Sequence, residues 1–131
     1  MVVVEIPHAG LEIDAVASRF TRIPADVLAA GAVVADSDIA ADLVWEGAEA
    51  RGVTTIVARA SRYVIDLNSE PRLPTPYEEK MPAPMRTVVH HSHCGRTWRA
   101  PALPKAEIER RVREVFEPYH ACVATELERA R

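Results

Sequence analysis

The chain has 131 residues, 48% of them apolar, and its 16 Lys and Arg against 19 Asp and Glu leave a net charge of −3. That length suits one domain burying roughly 68–70% of its unfolded surface, and the acidic balance provides no basic field for gripping nucleic acid. No apolar run reaches the ~18 residues of a membrane span, no signal-peptide pattern opens the chain, and Cys94 and Cys122 are too few for a disulfide framework, so a cytoplasmic protein without membrane or nucleic-acid partners is expected.

Val2 to Ile6 is a near-continuous apolar run, the pattern of a strand covered on both faces. It breaks at Pro7-His8-Ala9-Gly10. Short helices are predicted at Asp14 to Phe20 and Pro24 to Ala30, the second with proline in its first turn and Gly31 beyond its end. Asp36-Ser37-Asp38 supplies capping oxygens ahead of Ile39, Leu43, Val44 and Trp45, predicting a helix that ends at Gly52. Val53 to Ala58 is rich in β-branched residues and reads as a second strand, and Tyr63 to Asp66 as a third. The alternation of strand and helix predicts an α/β fold with a short, mostly parallel sheet flanked by helices.

Pro71, Pro74, Pro76, Pro82 and Pro84 make residues 68–84 a long irregular loop, either functional or a spacer. Met85 to His91 suits a short edge strand. Lys105 to Arg131 is helical, with an apolar stripe at Ile108, Val112, Val115, Phe116, Tyr119, Val123 and Leu127. Pro118 removes a backbone donor there, predicting a kink near Glu114.

The strand ends carry the chemistry, because ligands in open α/β sheets bind beyond the carboxyl ends of the strands. Asp66 and Asn68 end one such strand and His8 follows another. His8 suits zinc, which takes imidazole nitrogen, although a strand-end histidine is more often a hydrogen-bonded structural residue. Capping accounts for one of Asp36 and Asp38, because a carboxylate at a helix start meets free backbone donors; the other is left for a cation. Arg62 presents a fork of donors to a carboxylate, or forms a surface ion pair. His90, His91, His93 and Cys94 are metal-binding residue types, but their spacing fits no standard finger and suits a solvated loop. Tyr119-His120 suits ring packing and an imidazole hydrogen bond. The absence of a glycine-rich phosphate loop, a Gly-x-Ser-x-Gly elbow and a Cys-x-x-Cys pair argues against nucleotide, serine-nucleophile and dithiol chemistry.

Ile6-Pro7-His8-Ala9-Gly10, Asp36-Ser37-Asp38, Ser61-Arg62-Tyr63-Val64-Ile65-Asp66-Leu67-Asn68 and Pro118-Tyr119-His120, in that order, resemble the N-formylglutamate amidohydrolase family. Gly95-Arg96-Thr97-Trp98-Arg99 is similar to a Gly-x-x-Tyr-Arg stretch of the same enzymes. The resemblance covers nearly the whole chain as a single domain, 1–131, and corresponds to the amino-terminal portion of the family. It implies part of a phosphorylase/hydrolase-like α/β fold, shared with zinc carboxypeptidases, and hydrolysis of the formyl amide of N-formylglutamate, or of a related N-acyl amino acid, to formate and glutamate. It further implies a divalent metal, zinc, bound by His8 and by Asp38 or Asp36, with Asp38 favoured because Asp36 then serves as the cap. Arg62 and Asn68 would hold the substrate carboxylate or polarise its carbonyl. Family members commonly read Asp-Leu-Asn-Arg where this chain has Ser69, so Arg72 would have to supply the missing guanidinium. The family's Asp-x-His-Ser motif, which carries the remaining histidine ligand, and its general-base segment lie beyond the matched portion. The expectation is therefore a truncated hydrolase; the alternative is a non-catalytic module that pairs with another chain or with a second copy.

Overall fold

A computed structural model of the chain describes residues 1–17, 37–68, 92–93, 96–97 and 103–131, with backbone alone for 92, 93, 96 and 97. Two strands, β1 (Val2–Ile6) and β2 (Val53–Val57), pair in parallel with Val2 opposite Val53 and Ile6 opposite Val57. Both were legible as β-branched runs, and their parallel pairing bears out the α/β expectation.

The pairing continues past both strands: the Ala58 N–H donates to Ile6 O at 3.0 Å, and Glu12 bridges Ala60 in parallel. Residues 7–11 therefore leave the ladder and rejoin it, while the opposing chain passes directly through 58–59. Gly10 makes this detour possible, because a Cβ at that position would overlap the Arg59 backbone. His8 sits on the detour. Just after it, Asp14 Oδ1 accepts the Val16 and Ala17 backbone N–H groups, both at 2.8 Å, a cap at the point where the predicted 14–20 helix begins. The rest of the stretch expected to be helical at 14–20, and the helix expected at 24–30, lie outside the described residues.

The helix predicted from Asp38 to Gly52 is corrected to two short pieces, α1 (Ala41–Val44) and a 3-10 turn (Ala48–Arg51). Gly47 at φ 75° divides them, and Gly52 at φ 76° ends the second. No side chain caps α1; the Asp38 backbone carbonyl accepts the Ala41 N–H instead. The apolar residues that suggested a packed face, Ile39, Leu43, Val44 and Trp45, are all exposed, Val44 at 79%. A helical pattern indicates a packed face only where another element covers it.

The third strand, predicted at Tyr63 to Asp66, is absent. Ser61 O accepts the Val64 and Ile65 N–H groups at 2.8 and 3.4 Å, and Ser61 Oγ accepts the Tyr63 N–H at 3.3 Å, so the segment winds into a turn. Its β-branched and aromatic residues reflect burial rather than strand pairing: Tyr63, Val64, Ile65 and Leu67 are almost fully inaccessible and form the core with Ala17, Ala58 and Ile108.

A buried turn must satisfy its carbonyls without a ladder, and side chains of the carboxyl-terminal helix do so. That helix comprises α2 (Lys105–Arg111), a π turn (Val112–Phe116) and α3 (Glu117–Ala130). The expected proline effect appears one turn before Pro118, where the Glu117 N–H reaches back five residues to Val112 O. Pro118 has no N–H for the Glu114 carbonyl and would crowd it in a regular helix; the wider turn relieves both problems. Ile108, Val112, Val115, Phe116 and Tyr119 pack on the core as predicted, whereas Leu127 is half exposed. Strands β3 (Ser92–His93) and β4 (Arg96–Thr97) form an antiparallel pair. The proline-rich loop and the expected 85–91 strand lie outside the described residues. Among the described residues, no helix is long and apolar enough to cross a membrane.

Candidate functional site

The detour at 7–11, the Ser37-Asp38 backbone and the 61–68 turn converge on His8. A backbone bond fixes the first two together, the Asp38 N–H donating to His8 O at 3.0 Å. His8 is 9% exposed. Its Nε2 lies 2.9 Å from Asp66 Oδ1, and its Nδ1 lies 3.7 Å from Asp38 Oδ2. Asp66 also accepts the Asn68 backbone N–H at 3.0 Å on Oδ1 and an Arg62 terminal nitrogen at 3.1 Å on Oδ2.

Burial alone would push the Asp66 carboxyl pKa up, but the His8 and Asn68 hydrogen bonds and the Arg62 charge outweigh it and hold the group below the ordinary aspartate value. Asp66 is therefore ionised at neutral pH. An ionised carboxylate only accepts hydrogen bonds, so His8 Nε2 carries a proton and donates it to Asp66, leaving Nδ1 on the side of the ring toward Asp38. Asp38, by contrast, is open, its side chain 57% exposed against 13% for Asp66.

This arrangement fits part of a zinc site. Two ligands at zinc's usual bond lengths and tetrahedral angle stand about 3.4 Å apart, close to the 3.7 Å between His8 Nδ1 and Asp38 Oδ2. Metal-bound histidines characteristically donate their other ring N–H to a carboxylate, which is the relation of His8 to Asp66. Among the described residues, no group of three or more His, Cys, Asp or Glu side chains completes a metal cluster.

The structure thus brings His8, Asp38, Arg62 and the Asn68 backbone to one place. The Arg62 side chain is largely buried, with a terminal nitrogen on Asp66, while Asn68 is exposed. Asp36, Arg72, His90, His91 and Cys94 lie outside the described residues, as does the His93 side chain.

Two residues of the surroundings, Asp66 and Arg111, received no ligand or catalytic role from the sequence, and a third, His120, was read only as hydrogen-bonded. Asp66 was noted only for its strand-end position. Arg111, inaccessible to solvent, donates to Val64 O at 2.6 Å and to Glu107 Oε1 at 2.7 Å. The ion pair offsets the cost of burying the guanidinium, although burial still leaves the Arg111 pKa below its ordinary value. The available signal was its spacing: Arg111 falls three residues after Ile108 and four before Val115, inside the apolar stripe. His120, read as hydrogen-bonded, lies 3.0 Å from Leu67 O through Nε2, and its ring centroid is 4.1 Å from that of Phe116. A carbonyl only accepts, so His120 is the donor.

The N-formylglutamate amidohydrolase family model matches residues 1–131. Among solved structures, the chain is similar to the N-formylglutamate amidohydrolase from Ralstonia eutropha JMP134, at 25% identity and a TM-score of 0.69 over 98% of this chain. The match spans 46% of that protein's length. No match was found among curated proteins. With a family model covering its whole length and a matching fold, the chain belongs to the N-formylglutamate amidohydrolase family.

Proposed function

We propose that this chain carries the amino-terminal half of a metal-dependent amide hydrolase site, with N-formylglutamate or a related N-acyl amino acid as substrate. The observation supporting this most directly is the His8 imidazole, committed to Asp66 through Nε2 and turned toward Asp38 through Nδ1. His8 and Asp38 would hold the metal, zinc by the nature of the donors. When bound, a catalytic zinc supplies a water acidic enough to be nucleophilic near neutral pH, and it polarises the amide carbonyl.

The chain's own residues have separate tasks. Asp66 keeps the proton on His8 Nε2, so the ring offers the other nitrogen as a ligand. Arg62 and Asn68 flank the site, where the substrate carboxylate would bind, and Arg62 is held there by a terminal nitrogen on Asp66. Arg72 would add a second guanidinium in place of the one absent at Ser69. A charge-assisted hydrogen bond contributes about 1.5–3 kcal/mol, so an unreplaced arginine would cost roughly 10- to 150-fold in substrate affinity.

The test is formate release from N-formylglutamate by the purified chain, with and without added zinc. Any release should depend on zinc; full activity after chelation would refute the metal assignment, and none with zinc present would favour a non-catalytic remnant. A second reading, a module that associates with another chain, is favoured by the exposed Leu43 and Val44 next to the site, at 62% and 79%. Zinc binding without turnover, together with a dimer in light scattering, would favour that reading, and a clean monomer would count against it.

A further inference from the structure

Arg111 and His120 lie nine residues apart on one continuous helix. In a regular α-helix that separation corresponds to about 900° of rotation and leaves the two side chains about 180° apart, on opposite faces. Yet both reach the same short segment, Arg111 at Val64 O and His120 at Leu67 O. The π turn at Val112–Phe116 lies between them. A turn closed by i to i+5 bonds absorbs one extra residue, which reduces the angle between the two side chains to about 80°.

We propose that His120 is a positioning residue for the candidate site, brought to its place by the π turn. It acts on His8 through the turn it holds. Val64 and Leu67 bracket Asp66, so fixing both carbonyls from one helix fixes where the Asp66 carboxylate points. Asp66 in turn sets the orientation and tautomer of His8 through the 2.9 Å contact. Ring contact with Phe116 keeps the His120 imidazole aimed at Leu67. The inference rests on the proposed reading of His8 and Asp66 as the site, but its test does not require turnover.

The experiment compares the full-length wild type with His120→Gln, whose amide nitrogen occupies about the place of Nε2, and with His120→Leu, which has no donor. Long-range proton–nitrogen spectra of the metal-free, labelled chain report the His8 tautomer, and zinc titration reports affinity. In the wild type, His8 is expected as the Nε2–H form. In His120→Leu that signature should give way to mixed tautomers, and zinc should bind about 10-fold more weakly, the lower end of what loss of an outer carboxylate's support costs. His120→Gln should preserve both readouts. An unchanged His8 signature in folded His120→Leu, or an equal loss in His120→Gln, would overturn the proposal. If His120→Leu does not fold, His120→Asn takes its place, since its shorter amide falls short of Leu67 O; the same loss is expected, and retention would overturn the proposal. Failure of the wild type to bind zinc would refute the metal reading alone, because the tautomer is read without metal.

Discussion

Asp66 and Asp38 both face His8, yet replacing each with asparagine should have opposite consequences. Asp66 is 13% exposed and accepts from His8, the Asn68 backbone and Arg62, whose side chain is 16% exposed. Asp66→Asn removes the carboxylate that a largely buried guanidinium pairs with, and breaking such a pair costs about 3 kcal/mol. For a chain of this size that corresponds to a fall in Tm of about 10 °C. Asp38 is 57% exposed and lies 3.7 Å from His8, a geometry contributing about 0–1 kcal/mol, so Asp38→Asn should melt within ~3 °C of wild type. Zinc titration should give the reverse ranking: Asp38→Asn loses a proposed ligand, whereas Asp66→Asn loses roughly 10- to 100-fold through the orientation of His8. The pH dependence follows from the lowered Asp66 pKa. A carboxylate with a depressed folded pKa contributes stability that is fully present above its unfolded value of about 3.9 and is lost as pH falls through the folded value. The stability gap between wild type and Asp66→Asn should therefore be constant near neutrality and close only in acid. Equal destabilisation by the two substitutions, or a gap that closes between pH 6 and 8, would refute the assignment of Asp66 as the buried, ionised partner.

Other substitutions test the frame that holds the site. Gly10→Ala forces a Cβ into the Arg59 backbone and should cost about 1–3 kcal/mol in denaturant unfolding, as overpacking does. Ala40, exposed and held at φ 63° beside Asp38, carries a left-handed strain of about 1–2 kcal/mol, against a glycine entropy cost of about 0.5–1. Ala40→Gly should therefore raise stability by about 0.5 kcal/mol, and a lowered denaturation midpoint would show that the strain is absent. Arg111→Met strands the Val64 carbonyl and removes one of the two arginines on buried Glu107. It should cost about 3 kcal/mol, read by chemical denaturation, and a cost below ~1 kcal/mol would mean that water replaces the guanidinium.

Local pattern identified what local physics determines. Val2–Ile6 and Val53–Val57 were legible because β-branched runs bounded by turn residues have few alternatives, and the long carboxyl-terminal helix because its apolar stripe recurs over several turns. The 61–68 segment was misread for a nonlocal reason. Tyr-Val-Ile prefers extended backbone, but Arg111 and His120, 47 and 53 residues from the carbonyls they hold, replace the ladder bonds a strand would need. The helix after Asp38 failed for the converse reason: its apolar periodicity is real, but Gly47 and Gly52 take left-handed angles, and among the described residues no element buries the face. Of the candidate site residues, His8 was legible by its position after β1, whereas its link to Asp66 needed the detour at 7–11, which a sequence displays only as Pro7 and Gly10.

That link also explains why the site tolerates a buried charge at all. A carboxylate taken out of water normally neutralises by raising its pKa, which would return a proton to Asp66 and let the His8 ring take either tautomer. Here the desolvation is outweighed by donors from separate parts of the chain: the His8 ring on the detour, the Asn68 backbone after the turn and the Arg62 guanidinium within it. Two constraints fix these three donors, Gly10 packing for His8 and the clamped carbonyls for the turn that carries Arg62 and leads into Asn68. Keeping Asp66 ionised while it is largely buried therefore depends on these donors being in place, and the tautomer of His8 depends on Asp66. The open side of the ring, toward exposed Asp38, then has a direction set from behind by the core. A cation arriving there would meet a histidine already turned toward it, so the ordering of that ligand is supplied by folding rather than by binding.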